Sequence, residues 1–130
     1  MISKEQLYDA FGELIYAVAK ADGLIQIEER LTLEKILSDH PWASQIHWSF
    51  NYESTKEMDP LESYEKAIDI FKEHGPDPDY IYLLDVLKQV AAASDGIDAD
   101  EQKVIDSFQS DLYKRFLKDA EENNWTSNER

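Results

Sequence analysis

A short acidic phrase occurs twice in this chain, as ADGLIQIE over residues 21–28 and as SDGIDADE over residues 94–101. Both copies consist of a small residue, Asp, Gly, an aliphatic residue, three variable residues and Glu. Each copy lies between two segments whose apolar residues have helical spacing. The duplication therefore predicts two related halves, each built as a helix, an Asp-Gly turn and a second helix.

Apolar residues recur at helical spacing along most of the chain, and no segment alternates with period two. Ser3 and Gln6 have the spacing of a capping box, Asp59-Pro60 is typical of a helix start, and GPDPD at residues 75–79 is a break. The aromatic-rich stretch 42–52 allows a short helix. The other predicted helices span about residues 3–21, 26–39, 59–74 and 79–94, with a last one that starts near 98 and either continues or breaks near Asp111.

The predicted fold is therefore all-α, a compact bundle of about six to seven helices from two related halves with pseudo-two-fold character. We expect residues 1–120 to form a single helical domain and residues 121–130 to form a frayed polar tail. The aliphatic residues that follow the two glycines, Leu24 and Ile97, are expected to pack into the core.

The chain is strongly acidic, with 28 Asp and Glu residues against 13 Lys and Arg residues and a formal charge of −15. Such a charge repels phosphate backbones, which predicts no nucleic-acid binding, and it favours cations or a basic protein partner. Solubility alone also explains the charge. The absence of Cys excludes thiolate metal sites. Because no apolar run could span a bilayer and the N-terminus lacks a signal-peptide pattern, we expect no membrane insertion and a cytoplasmic location.

The duplicated phrase predicts carboxylates at the junctions of both helix pairs. Hard divalent cations such as Ca²⁺ and Mg²⁺ take carboxylate, carbonyl and water oxygens, so a cation of this type is the cofactor that the pattern allows. The candidate metal ligands are Asp22, Glu28, Asp95, Asp98 and Glu101.

Helix capping explains the same residues without a metal. The two Asp-Gly pairs can end helices, Asp98 and Glu101 have the spacing of a capping box, and Glu28 in a first helical turn is favoured by the helix dipole. Both interpretations stay open, because a capping carboxylate keeps spare lone pairs.

Motifs for catalysis are missing from the sequence, which has no Gly-rich phosphate loop and no nucleophile elbow. The chain is therefore predicted not to be an enzyme, although acid-base chemistry by paired carboxylates stays an alternative. The aromatic residues of the 42–52 stretch predict either a ligand-binding patch or packing, and the residues concerned are Trp42, Trp48, Phe50 and Tyr52.

The paired phrases, each of which follows an Ala-containing helix end, resemble the tellurite-resistance TerB-like family over roughly residues 5–118. The resemblance implies a compact all-α domain of two related halves. It also implies metal chelation by acidic residues, with Asp22 and Glu28 as one pair and Asp95 and Glu101 as the other. The same resemblance links the chain to bacterial tellurite resistance and other stress responses.

Together these features predict a non-enzymatic domain that binds or senses a divalent cation in a bacterial stress response. The alternative is a protein-interaction module whose acidic face docks a basic partner without metal. Both hypotheses include a protein partner.

Overall fold

The computed structural model describes residues 2–21, 23–75, 77, 79–93 and 99–123, with side chains in the last helix as far as Asp111. Within these residues the chain forms six α-helices and no β-strand, which confirms the predicted all-α bundle. The helices are α1 Lys4–Lys20, α2 Ile27–Leu37, α3 Ala43–Thr55, α4 Pro60–His74, α5 Asp79–Ala91 and α6 Ala99–Asn123.

Two helices are longer than the sequence pattern required. The aromatic-rich stretch forms α3, a full helix of 13 residues. Helix α6 continues through Asp111 without a break and reaches Asn123, while residues 124–130 of the expected tail lie outside the described part. Although α6 has 25 residues, neither it nor another described helix has the length and apolar content needed to cross a membrane.

Helix α1 lies at the centre of the bundle. It contacts α3, α4, α5 and α6, and its buried residues surround the helix rather than forming the single stripe expected from the sequence. Small residues on the other sides of the helix, among them Ala10, Gly12 and Ala17, allow neighbouring helices to approach closely. The core is therefore arranged around α1.

Helices of the first half pack against helices of the second half. Helix α1 of the first half contacts α6 of the second, and α5 of the second half contacts α2 of the first. Each helix that follows an acidic turn thus packs against the first helix of the other half. This reciprocal packing is what related halves in a pseudo-two-fold arrangement require.

Gly12 marks the crossing of α1 and α3. A Cβ atom at this position would lie 2.6 Å from the Ile46 carbonyl oxygen and 2.6 Å from the Ser49 Cβ. The Ser49 hydroxyl donates a 2.6 Å hydrogen bond to the Asp9 carbonyl oxygen at the same crossing. Glycine is required here because the two helix backbones are almost in contact.

The predicted caps of α1 and α4 are confirmed. Ser3 Oγ accepts a hydrogen bond from the Gln6 backbone N–H at 3.2 Å, and Gln6 Oε1 accepts one from the Ser3 N–H at 3.0 Å. Asp59 Oδ2 accepts from the Glu62 backbone N–H at 3.3 Å, and Pro60 is the first residue of α4. Gly23, which follows α1, has a φ of 97°, in the region that favours glycine.

Helix α3 ends in a Schellman motif that carries a glutamate where glycine is usual. The Met58 N–H donates to the Glu53 carbonyl oxygen, and the Glu57 N–H donates to the Ser54 carbonyl oxygen, both at 3.1 Å. Glu57 therefore has a φ of 51°, in the left-handed region. A residue with a Cβ is strained in this conformation.

Glu57→Gly is expected to raise the free energy of unfolding by about 1 kcal/mol, because glycine adopts the left-handed conformation without the steric cost. Urea unfolding followed by circular dichroism measures the change. Glu57→Ala is the matched control, since it removes the carboxylate but keeps the Cβ. A gain of equal size in Glu57→Ala would assign the effect to charge and contradict the backbone explanation.

Candidate functional site

A cleft of about 690 Å³ lies where the N-terminal ends of α4 and α6 meet the C-terminal end of α1. Asp59 and Asp100 place carboxylates on its two sides. Between them lie the apolar side chains of Leu61 and Val104. Leu61 is 62% exposed, although it is a large aliphatic residue. The cleft thus combines an apolar surface with two carboxylates and the ammonium group of Lys103.

Described residues of both acidic phrases line this cleft. Ala21, which lines it, directly precedes Asp22-Gly23, and Asp100, which also lines it, lies in the second phrase. The described neighbours of the two turns therefore meet at one end of the bundle, as the reciprocal packing of the halves requires. Of the predicted metal ligands, Asp22, Asp95 and Asp98 lie outside the described residues.

The two predicted ligands that the structure describes have different environments. Glu28 is exposed in the first turn of α2, whereas Glu101 is buried in the first turn of α6. The residue of α2 that matches Glu101 in burial and helix position is Glu29, the third residue of its helix and only 1% exposed. Glu29 Oε1 accepts a hydrogen bond from the Gln26 backbone N–H at 2.8 Å.

This shift of one residue has a simple origin. The chain from the glycine to the first helical residue is one residue longer in the first copy, where Gly23 precedes Ile27, than in the second, where Gly96 precedes Ala99. Matching the two phrases letter by letter therefore pairs Glu101 with Glu28. The capping spacing between Gln26 and Glu29 was the signal that could have identified the buried residue.

The described carboxylates do not by themselves make a cation site. Within the described residues, no group of three or more His, Cys, Asp or Glu side chains could hold a metal ion. At the cleft, Asp59 already caps α4, and Lys103 of α6 also lines the cleft. Ca²⁺ needs about six to eight oxygens, so a cation here would depend on Asp22, Asp95 and Asp98 together with carbonyls and water.

Leu24 is exposed and does not pack into the core as expected. It is 59% exposed, and the next residue, Ile25, packs against the core instead. The expectation that Leu24 enters the core is therefore wrong, because the longer first turn advances the inward position by one residue. Ile97 lies outside the described residues.

A buried ionic group between α1, α3 and α4 was not predicted. Lys66 Nζ lies 3.2 Å from each carboxylate oxygen of Glu53 and 3.6 Å from Glu13 Oε2, and the Ser63 hydroxyl donates to Glu53 Oε1 at 2.6 Å. Burial raises the pKa of Glu13 to about 7, and the Lys66 ammonium opposes this effect. These residues are far apart in sequence, so only the packing of three helices brings them together.

Two of the four aromatic residues in the 42–52 stretch pack against other residues of the bundle, and two are exposed. Phe50 is buried, and Trp42 stacks on Tyr8 with ring centroids 5.2 Å apart. Trp48 and Tyr52 are exposed and stack on each other at 5.4 Å. The four residues therefore do not share one surface, and of the two alternatives, packing describes Phe50 and Trp42.

His40 has a structural role. Its Nδ1 accepts a hydrogen bond from the Trp42 backbone N–H at 3.0 Å, so Nε2 carries the proton of the neutral ring and faces Asp79 Oδ2 at 3.3 Å. The same Asp79 oxygen accepts a 2.5 Å hydrogen bond from the Tyr8 hydroxyl. The ring thus ties the link between α2 and α3 to the start of α5.

Comparison with protein-family models, with curated proteins and with solved structures found no match to this chain.

Proposed function

We propose that this chain is a non-enzymatic binding domain that docks a basic segment of a partner protein in the cleft between α4 and α6. The observation that carries the proposal is Leu61, a 62% exposed aliphatic side chain in a cleft with the carboxylates of Asp59 and Asp100. A lysine or arginine of the partner can lay its aliphatic stem on Leu61 and Val104 and direct its charge to the carboxylates.

The charge of the whole chain supports the same choice of partner. With a formal charge of −15, the protein attracts a basic segment from a distance and repels acidic competitors. The rim carboxylates would then fix where the segment binds. Such a domain needs neither a nucleophile nor a cofactor, and we place it in the cytoplasm.

The test uses a defined probe. A peptide of alternating Lys and Leu is titrated into the ¹⁵N-labelled protein, with an alternating Glu-Leu peptide as the comparison. We expect amide shifts confined to the ends of α4 and α6, an affinity that falls as salt rises, and no effect of a chelator. An affinity that does not depend on salt, or equal binding of the Glu-Leu peptide, would contradict the proposal.

A matched pair of double variants separates the cleft from overall charge. Leu61→Ser with Asp100→Asn is expected to weaken Lys-Leu binding about tenfold, because it removes the apolar surface and one rim charge. The control is Ile81→Ser with Asp85→Asn on α5, where Ile81 is 76% exposed and Asp85 is an exposed carboxylate. If the affinity for the peptide falls equally in both double variants, the peptide binds through the net charge of the protein and the cleft is not the site.

A second function, binding of a divalent cation in a bacterial stress response, is supported by one specific observation. Ala21, which precedes Asp22 in the first phrase, and Asp100 of the second phrase line the same cleft. This is the arrangement that a shared Ca²⁺ or Mg²⁺ site, and the resemblance to TerB-like proteins, would require. The carboxylates of Asp98, Glu28 and Glu101 are the further ligands proposed.

Calorimetric titration with Ca²⁺, Mg²⁺ and Mn²⁺ tests the cation directly. Binding should appear as heat and as a raised melting temperature, and both should be lost in Asp22→Asn with Asp95→Asn. Absence of heat and of any thermal shift for all three cations would rule out this second function and leave the peptide experiment unaffected.

A further inference from the structure

A second recess, of about 340 Å³, lies on another part of the surface, between the C-terminal ends of α1 and α3 and the start of α2. We name it the Arg30 groove. Its apolar wall includes Leu24 and Ile25, and Arg30, Lys20 and Glu57 supply charges. The volume is at the lower end of the range for small-molecule sites, which favours a small ligand.

Arg30 is held in place by a hydroxyl group and an aromatic ring. One guanidinium nitrogen donates a 2.5 Å hydrogen bond to Ser54 Oγ, and the guanidinium carbon lies 5.4 Å from the centre of the Phe50 ring. Among the described residues, no carboxylate lies within ion-pairing distance of Arg30 or of Lys20. A guanidinium fixed in this way can bind the carboxylate of a ligand through two parallel hydrogen bonds.

Glu57 contributes the opposite charge to the same groove. It makes no ion pair with Arg30 or Lys20, so charges of both signs line one recess without contacting each other. Glu57 also has a φ of 51° at a position where glycine would relieve the strain. Strained residues of this kind cluster at ligand sites, and here the strain keeps a carboxylate at the groove.

The exposed aliphatic side chain of Leu24 adds the third element of recognition. Leu24 is 59% exposed, and Ile25 and the Tyr16 ring line the groove beside it. A ligand that satisfies all three features carries a carboxylate, an ammonium group and an aliphatic side chain on one small framework.

We infer that the Arg30 groove binds a free α-amino acid with an aliphatic side chain. Arg30 and Lys20 bind the carboxylate, Glu57 binds the ammonium group, and the side chain of the ligand lies on Leu24 and Ile25. A peptide end offers only one of the two charged groups, which distinguishes a free amino acid from a chain terminus. This site is separate from the cleft between α4 and α6 and does not depend on the function proposed there.

Titration of the ¹⁵N-labelled protein with leucine tests the inference, with N-acetylleucine and leucinamide as the two comparison ligands. Leucine is expected to shift amides at the end of α1, the start of α2 and the end of α3. N-acetylleucine lacks the ammonium group and leucinamide lacks the carboxylate, so each should bind about tenfold more weakly or not at all. No shift with leucine, or equal shifts with either comparison ligand, would overturn the inference.

Leucine binding by variants of the groove is a second test. Because several variants are compared, one variant that fails to fold does not decide the result. Arg30→Gln and Glu57→Gln should each weaken leucine binding about tenfold, whereas Lys35→Gln, on an exposed lysine of α2 away from the groove, should not. Glu57→Gly should lose binding while its melting temperature rises, which a merely destabilised variant cannot do. Retained binding in Glu57→Gly and Glu57→Gln would overturn the role of this carboxylate and with it the amino-acid ligand.

Discussion

Replacing Gly12 with alanine is expected to lower the free energy of unfolding by about 3 kcal/mol, although alanine normally favours a helix over glycine by about 1 kcal/mol. The new Cβ would lie 2.6 Å from the Ile46 carbonyl oxygen, 2.6 Å from the Ser49 Cβ and 2.8 Å from the Phe50 backbone nitrogen. Two of these atoms belong to the backbone of α3 and cannot rotate away. Helices α1 and α3 must therefore separate and loosen the core between them, which urea unfolding will measure.

Gly23→Ala is the control for the loss of glycine itself. Gly23 has a φ of 97°, and no atom of the described residues lies within 4 Å of the position of its Cβ, so backbone strain is what opposes an alanine there. We expect that change to cost about 1 kcal/mol. If Gly12→Ala proved no more costly than Gly23→Ala, α1 and α3 could not cross as closely as described.

Lys66→Met is expected to cost about 3 kcal/mol at pH 8, because it removes the cation that lies between the carboxylates of Glu13 and Glu53. The Glu53 side chain is only 2% exposed, so its carboxylate is poorly hydrated once the ammonium group is removed. The Lys66 side chain is 43% exposed, which keeps the expected cost at the lower end for a buried ion pair. Urea unfolding at fixed pH gives the value.

The free energy of unfolding lost in Lys66→Met should be smaller at pH 5 than at pH 8, because Glu13 is protonated at the lower pH. Its pKa is raised to about 7 in the folded protein, above the value of 4.5 for an unperturbed glutamate, so the folded state binds more protons between these values. Stability from this group is present at low pH and declines as the pH rises through about 7. At pH 5 Glu13 is neutral, so the Lys66 ammonium stabilises it less than at pH 8. A loss that grows on acidification would contradict this account.

Lys72→Met on the same helix is the matched control for Lys66→Met. Lys72 is exposed and forms no ion pair among the described residues, so its replacement should change the free energy of unfolding by less than about 0.5 kcal/mol. A similar loss in both variants would assign the effect to helix propensity or surface charge rather than to the buried carboxylates.

The fold could be predicted largely from local signals. Ser3 and Asp59 identified helix starts, and the glycines at 23 and 75 identified helix ends, because each requires only neighbouring residues. The central position of α1 could not be predicted in this way. Its sequence shows a strong apolar stripe, and the small residues on its other sides become informative only when four partner helices surround them.

The site was predictable to a smaller extent. The duplicated phrase predicted carboxylates at the junctions of both helix pairs, but a connection of unequal length in the two copies places the buried glutamate of α2 at position 29 rather than 28. The group of Glu13, Glu53 and Lys66 and the groove around Arg30 join residues from three segments each. No local spacing predicts such contacts, because they depend on how the helices cross.

The reciprocal packing of the halves determines when this chain can fold during its synthesis. Helix α1 leaves the ribosome before α5 and α6, which complete its burial. Until then the apolar side chains around α1 have no complete set of neighbours, and the contacts that bury them join distant parts of the chain. We therefore expect this domain to fold in one cooperative step only once α6 has been synthesised, with neither half stable as a nascent intermediate.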